Sequence, residues 1–229
     1  MKTGTTIAAL ALIGLFITSC GQKKTDTAIA DAQHPVKTEI NTPDEAIAEL
    51  KAGNQRFVEG KLINTDYANQ IEHTKADQHP HTAILGCLDS RVPPEIIFDQ
   101  GIGKLFVARV AGNVEDQNIV GSMEFATKLK GTKLIVVLGH NHCGAVAGAV
   151  GNAELGNLTQ LVNQIKPAIT GDESNKESML DETSRNNVKL TIKDILDQSP
   201  IISELVKEEK VKIVGAYYDL ETGKVIFLD

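Results

Sequence analysis

The sequence predicts an α/β domain with a mainly parallel central β-sheet, an antiparallel edge strand, flanking helices and an N-terminal helical arm. Three observations predict it. Short apolar runs near 82–87, 104–109, 132–139 and 211–217 alternate with longer helix-like stretches, the pattern of parallel strands joined by crossover helices. Runs such as Lys133-Leu-Ile-Val-Val-Leu138 are apolar over their length, as strands covered on both faces are. Asp219-Leu-Glu-Thr-Gly223 is a tight turn before a last strand near 224–228, so the final pair closes as a hairpin and supplies the antiparallel edge.

The first twenty residues stand apart from that domain. Lys2 precedes the apolar run Ile7–Ile17, which ends at Thr18-Ser19-Cys20. A run of that length suits a signal-peptide core and falls short of the roughly 20 residues that cross a bilayer. Ser19 directly before Cys20 resembles a bacterial lipoprotein signal, in which the cysteine becomes the lipidated first residue. The expectation is a protein exported and anchored to a bacterial membrane through lipidated Cys20, facing the periplasm. Residues 21–41 are polar, lack sustained periodicity and contain Pro35, so they read as a flexible tether.

Folded sequence, 42–229, opens on a helix. Thr42 is an N-cap candidate, Pro43 suits the first helical position, and Glu45 completes a capping box, while Ala46, Ile47, Leu50 and Phe57 supply an apolar stripe. Strands and helices then alternate to the C-terminus. Gly171–Arg185, rich in Asp, Glu, Ser and Asn, reads as a surface loop. At 229 residues and 41% hydrophobic content the chain can bury the core of one domain plus an appendage. Its formal net charge of −7 argues against nucleic acid and against electrostatic binding to anionic lipid, leaving the lipid itself as the membrane contact.

The chemistry is concentrated in Cys87-Leu-Asp89-Ser90-Arg91 and His140-Asn141-His142-Cys143. Each follows an apolar run, so two strands deliver them at their carboxyl ends, the edge at which open α/β sheets bind ligands. Cys87, His140 and Cys143 form a three-ligand set of the kind a catalytic zinc uses, with its fourth position left for water. The competing reading is a Cys87–Cys143 disulfide in an exported protein. It has no use for His140 or for Asp89 and Arg91, whereas a metal centre uses them all. His142 adjoins the pocket, and His79 and His81 flank Pro80 as surface or strand-entry residues.

Further stretches join these two: Gly53-Asn-Gln-Arg-Phe57, Gly101-Ile-Gly-Lys-Leu-Phe-Val-Ala-Arg109-Val-Ala-Gly-Asn113, Gly121-Ser-Met-Glu-Phe125-Ala and Val211-Lys-Ile-Val-Gly-Ala-Tyr-Tyr-Asp-Leu220. Together they resemble the beta-class carbonic anhydrases, zinc enzymes that interconvert carbon dioxide and bicarbonate, from roughly Thr42 to Asp229. The resemblance implies one zinc per subunit on Cys87, His140 and Cys143, and a homodimer or larger homo-oligomer. It implies that Asp89 accepts a hydrogen bond from a zinc-bound hydroxide while Arg91 holds Asp89 ionised and off the metal. Gln78 matches a substrate-facing glutamine of plant-type members, often lent across the dimer interface. Phe106 matches an apolar pocket position, and Gly144, after Cys143, belongs to the substrate-binding set. Phe125 stands where tyrosine is usual, keeping the ring and losing the hydroxyl. Members regulated by bicarbonate carry a tryptophan where this chain has Ile84, and the chain has no tryptophan, so an open site is expected. Two alternatives share these motifs: a carbon disulfide or carbonyl sulfide hydrolase on the same fold, and a non-catalytic zinc or bicarbonate-binding module.

Overall fold

The computed structural model describes Met1 and residues 39–228. Apart from Met1, the signal read over 1–20, with Cys20, and the tether up to residue 38 lie outside the described residues. Thr38–Asp229 forms one compact unit. Among the described residues no helix is long and apolar enough to cross a membrane.

Five strands make one sheet in the order β2-β1-β3-β4-β5. They are β1 Thr82–Gly86, β2 Leu105–Arg109, β3 Leu134–His140, β4 Lys212–Tyr218 and β5 Val225–Leu228. The first four pair in parallel and β5 runs antiparallel to β4, as the alternating runs and the Asp219–Gly223 turn predict. Central β1 and β3 are buried at every position because helices cover both faces. Ala83, Leu85, Ile135 and Val137 face α7 (Lys176–Gln198) and α8 (Pro200–Lys207) through Val188, Ile195, Ile202 and Leu205. On the opposite face Ile84, Leu134, Val136 and Leu138 meet Ala46 and Leu50 of α1 (Pro43–Val58) and Ile97 and Phe98 at the end of α3 (Pro94–Ile97). Ile84 is thus a core residue, packed among aliphatic neighbours.

The arm helix starts where the capping box predicts. The Thr42 hydroxyl accepts from Glu45 N at 3.2 Å, and the Glu45 carboxylate accepts from Thr42 N at 3.2 Å and Asn41 N at 2.9 Å. Such a cap stabilises a helix start by about 1 kcal/mol. Ile40, at the end of the segment read as a tether, already packs against the α1 layer. The Gly53–Phe57 stretch fastens that helix to the domain. Gly53 lies against the Phe98 carbonyl, and Asn54 Nδ2 donates to Ile97 O at 3.0 Å and Gly223 O at 2.9 Å. Arg56 pairs with Glu49 and Asp99, and Phe57 packs into the core.

One expectation is corrected here. Gly171–Arg185 is only in part a loop, because α7 begins at Lys176 and runs for 23 residues. Asn175 caps it by accepting from Ser178 N at 3.2 Å. Its buried positions are Met179, Thr183, Ser184, Asn187, Val188, Thr191 and Ile195, so a mostly polar buried stripe hides the helical period from an apolar pattern search.

Candidate metal centre

Cys87 leaves the carboxyl end of β1, and His140 closes β3 beside it. Parallel pairing in the register Gly86↔Leu138 sets the two strand ends side by side. His142, at φ +51°, turns the chain so that Cys143 takes the N-cap position of α5 (Gly144–Val150). The sequence-predicted ligands therefore converge: Cys87, His140 and Cys143 are all buried and present ligand atoms within 4.8 Å of one another.

The donor set fits zinc on three counts. Two thiolate sulfurs in a tetrahedron, each about 2.3 Å from the ion, lie about 3.8 Å apart; Cys87 Sγ and Cys143 Sγ are 3.9 Å apart, as free cysteines. His140 Nδ1 donates to the Asn141 carbonyl at 2.7 Å, which leaves the lone pair on Nε2. Among the described residues that Nε2 is buried without a hydrogen-bond partner, a state that metal ligation resolves. The backing is apolar and buried, formed by Val114, Ala145, Val146, Ala149, Val162 and Ile165.

Electrostatics prepare the sulfurs. Hydrogen bonding with Cys143 pulls the Cys87 thiol well below its ordinary pKa, helped by His140 and by the N–H groups of Asp89 and Gly112. The same contact, with burial, pushes Cys143 up, because a second thiolate beside the first is unfavourable. A divalent cation removes that conflict by attracting both thiolates.

Asp89 sits at the mouth of this cluster without joining it. Arg91 grips both carboxylate oxygens, Nε to Oδ1 at 2.9 Å and Nη2 to Oδ2 at 2.7 Å, and its backbone N–H adds a bond to Oδ1 at 2.9 Å. This fork holds the Asp89 carboxyl well below the usual carboxylate range. Asp89 Oδ2 still lies 3.9 Å from His140 Nε2, on the ligand side of the pair.

Comparison with known proteins places this architecture. The profile of the carbonic anhydrase family matches residues 82–225. A beta-carbonic anhydrase of the fungal pathogen Aspergillus fumigatus superposes with a TM-score of 0.65 at 26% identity, over 81% of this chain and 90% of that one. The chain belongs to the beta-class carbonic anhydrase family. It is 37% identical to carbonic anhydrase 2 of Mycobacterium tuberculosis over 195 residues, 82% of this chain and 93% of that protein. One chain from the crystal structures of two tetrameric beta-carbonic anhydrases of the filamentous ascomycete Sordaria macrospora superposes with a TM-score of 0.63 at 26% identity, covering 80% of this chain and 96% of that one. The family is zinc-dependent, and the Cys-His-Cys group is placed to bind that metal.

The remaining expected residues of this beta-carbonic anhydrase fall in two places. Gly144 is the first residue of α5, exposed beside Cys143, with open space where a Cβ would stand. Phe106 and Phe125 meet edge to face, ring centroids 6.1 Å apart, away from the metal within one subunit. Phe106 pairs with Ala83, four residues before Cys87, which is about 13 Å along the strand. Gln78 is exposed on the amino side of β1, opposite the end that carries Cys87. His79 is exposed, whereas His81 is buried at the strand entry, bonded to Thr82 and Gln100.

Sequence reading missed the residues that brace the Cys87 segment. Arg109, at the end of β2, donates to the carbonyls of Cys87, at 2.9 Å, and of Asp89, so one guanidinium spans the residue between them. A strand-end arginine inside a recognised stretch was the available signal. Gly112, at φ +70°, donates its N–H to Cys87 Sγ at 3.3 Å. Asn141 ties the metal loop to the last hairpin, accepting from Leu220 N at 2.8 Å and donating to Asp219 at 3.2 Å.

Proposed function

We propose that this protein reversibly hydrates carbon dioxide to bicarbonate and a proton, with Asp89 and Arg91 as its catalytic dyad. The observation that carries the dyad is the two-pronged Arg91–Asp89 bond beside the buried Cys87, His140 and Cys143 cluster. Zinc, when bound, lets a coordinated water ionise near neutral pH and so supplies the nucleophile. Asp89 stays ionised through Arg91 and offers its carboxylate as an acceptor on the side of the ligands, orienting that nucleophile. Arg91 keeps both carboxylate oxygens occupied and Asp89 outside the ligand cluster, which supports an open resting site. The apolar backing from α5 and α6 (Gly156–Ile165) suits an uncharged substrate.

The functional unit in this reading is a homodimer or a larger homo-oligomer. Gln78, Phe106 and Phe125 reach a metal centre from a neighbouring subunit, where the Gln78 amide binds bicarbonate without adding charge and the two rings line the pocket beside Gly144. Tetramers among the solved relatives support this assembly. For the amino terminus the proposal is lipidation at Cys20 and export across a bacterial membrane, supported by the sequence of residues 1–20; globomycin treatment of expressing cells is expected to accumulate precursor.

Stopped-flow hydration of carbon dioxide at mildly alkaline pH tests the proposal, using zinc-loaded protein beside Cys87→Ser and Asp89→Asn. Asp89→Asn is expected to retain zinc and lose activity by about 10²-fold or more, the usual scale of losing one preorganised hydrogen-bonding group at the reacting atoms. Wild-type protein that carries stoichiometric zinc yet hydrates no carbon dioxide would sink the reading and favour a sulfur-analogue hydrolase or a binding module. Full activity in Asp89→Asn would remove the dyad.

A further inference from the structure

We propose that Asn187 of α7 is a positioning residue of the metal centre, acting through Gly112 on the sulfur of Cys87. The inference rests on the reading of Cys87, His140 and Cys143 as the metal ligands.

The chain of contacts is short and buried. Asn187, 1% exposed, donates Nδ2–H to the Gly112 carbonyl at 2.7 Å. Gly112 in turn donates its own N–H to Cys87 Sγ at 3.3 Å, closer than the Asp89 N–H at 3.5 Å. Gly112 sits in the single turn Ala111–Asn113, outside the sheet ladder, so neighbouring strands do not fix its carbonyl. Its φ of +70° favours glycine. The space is also closed: a Cβ there would stand 2.6 Å from Ile165 Cδ1 and 3.1 Å from Ala145 Cβ. Packing and the Asn113 N–H bond to Val110 O at 2.9 Å set where the turn lies, and the Asn187 amide anchors the carbonyl of the residue whose own N–H meets the sulfur.

The other half of the Asn187 side chain shows that the amide is kept for this bond. Among the described residues Asn187 Oδ1 is buried without a partner, as is Asn113 Nδ2 in the turn that holds Gly112. An unpaired buried acceptor is a net cost to folding that an aliphatic side chain of similar size would avoid. What an aliphatic side chain lacks is the donor to Gly112. An N–H aimed at a thiolate stabilises its charge, and loss of such an outer partner weakens metal binding by about 10- to 100-fold. Arg109 holds the Cys87 carbonyl and the Asp89 N–H is the sulfur's second donor, so the contribution of Asn187 runs through the Gly112 N–H alone.

Full-length protein loaded with cobalt(II) gives a readout independent of turnover, because sulfur-to-cobalt charge transfer reports thiolate electron density. Asn187→Leu, one bond further out than a ligand's direct partner, is expected to shift that band and to lower zinc affinity in chelator competition by up to about 10-fold, the low end of the effect of losing a direct partner. Ile195→Ala, buried two turns along the same helix, should lose stability and keep the wild-type band. A folded Asn187→Leu with wild-type band and affinity would overturn the inference and leave the ligand assignment standing. Wild-type protein that binds no stoichiometric cobalt would overturn the ligand assignment, and this inference with it. Should the variant not fold, cadmium-113 protein without substitution decides: a scalar coupling between the metal and the Gly112 amide proton supports the path, and its absence refutes it.

Discussion

Gly53→Ala and Gly148→Ala make the same chemical change in two helices and are expected to move stability in opposite directions. A Cβ on Gly53 would lie 1.8 Å from Phe98 O and 2.7 Å from Phe98 C, both backbone atoms. Since real Cβ contacts do not fall below 3.0 Å, α1 must withdraw by at least the difference from 1.8 Å, or 1.2 Å. That retreat breaks the buried 3.0 Å bond from Asn54 Nδ2 to Ile97 O. Overpacking costs about 1–3 kcal/mol and a broken buried hydrogen bond about 1–3 kcal/mol, against about 1 kcal/mol gained in helix propensity. The net loss is about 1–5 kcal/mol, which lowers Tm by about 2–20 °C in a domain of this size. At Gly148 a Cβ meets only Val162 at 3.4 Å and Ala153 at 3.6 Å, ordinary contacts, so alanine there gains about 0.5–1 kcal/mol. Thermal unfolding followed by circular dichroism, at one protein concentration and one zinc concentration, measures both. An unchanged or higher Tm for Gly53→Ala would refute the claim that backbone contact, and not propensity, selects glycine in α1.

Three further outcomes are expected. Burial pushes the His81 imidazole below its ordinary pKa of about 6.5, so it is neutral in the fold; stability is full above about pH 6.5 and falls as pH drops toward the folded-state value, because the unfolded chain takes up the proton first. His81→Gln should flatten that acid slope in denaturant midpoints measured across the range, and an identical slope would contradict the assignment. Tyr217→Phe removes the buried hydroxyl that donates to Asp181 Oδ1 at 2.6 Å and should cost about 1–2 kcal/mol by chemical denaturation. Chelating the metal should lower Tm, with stability recovering by about 1.4 kcal/mol for each tenfold rise in free zinc above its Kd; a Tm indifferent to zinc would argue against metal binding to the folded state.

The sheet was legible because its signals are local. β1 and β3 are apolar over most of their length and end at Gly-Cys or Gly-His, and Thr42 with Glu45 announces α1 by cap chemistry alone. The metal ligands were legible because zinc restricts residue type and spacing so tightly. What escaped depends on partners distant in sequence. Asn187 reads as one polar residue among many until its 2.7 Å bond to Gly112 O is seen, and Thr183 and Ser184 disguise α7 in the same way. Arg109 braces two carbonyls on another strand, a role that no window around it displays. Gln78 and Phe106 were legible only through the family resemblance, and within one subunit they lie away from the metal ligands.

The register Gly86↔Leu138 also decides which folded chains can hold a metal. Cys87 and Cys143 are 56 residues apart in the chain, and β1 must pair with β3, on its side away from β2, before their sulfurs meet. A slip of one residue in that pairing would move Cys87 by about 3.3 Å and turn it to the other face of the sheet. Zinc, whose bonds to sulfur span only about 2.3 Å, would find no tetrahedron in such a chain. Metal binding would therefore add its free energy only to the correctly paired sheet and leave a slipped one without it.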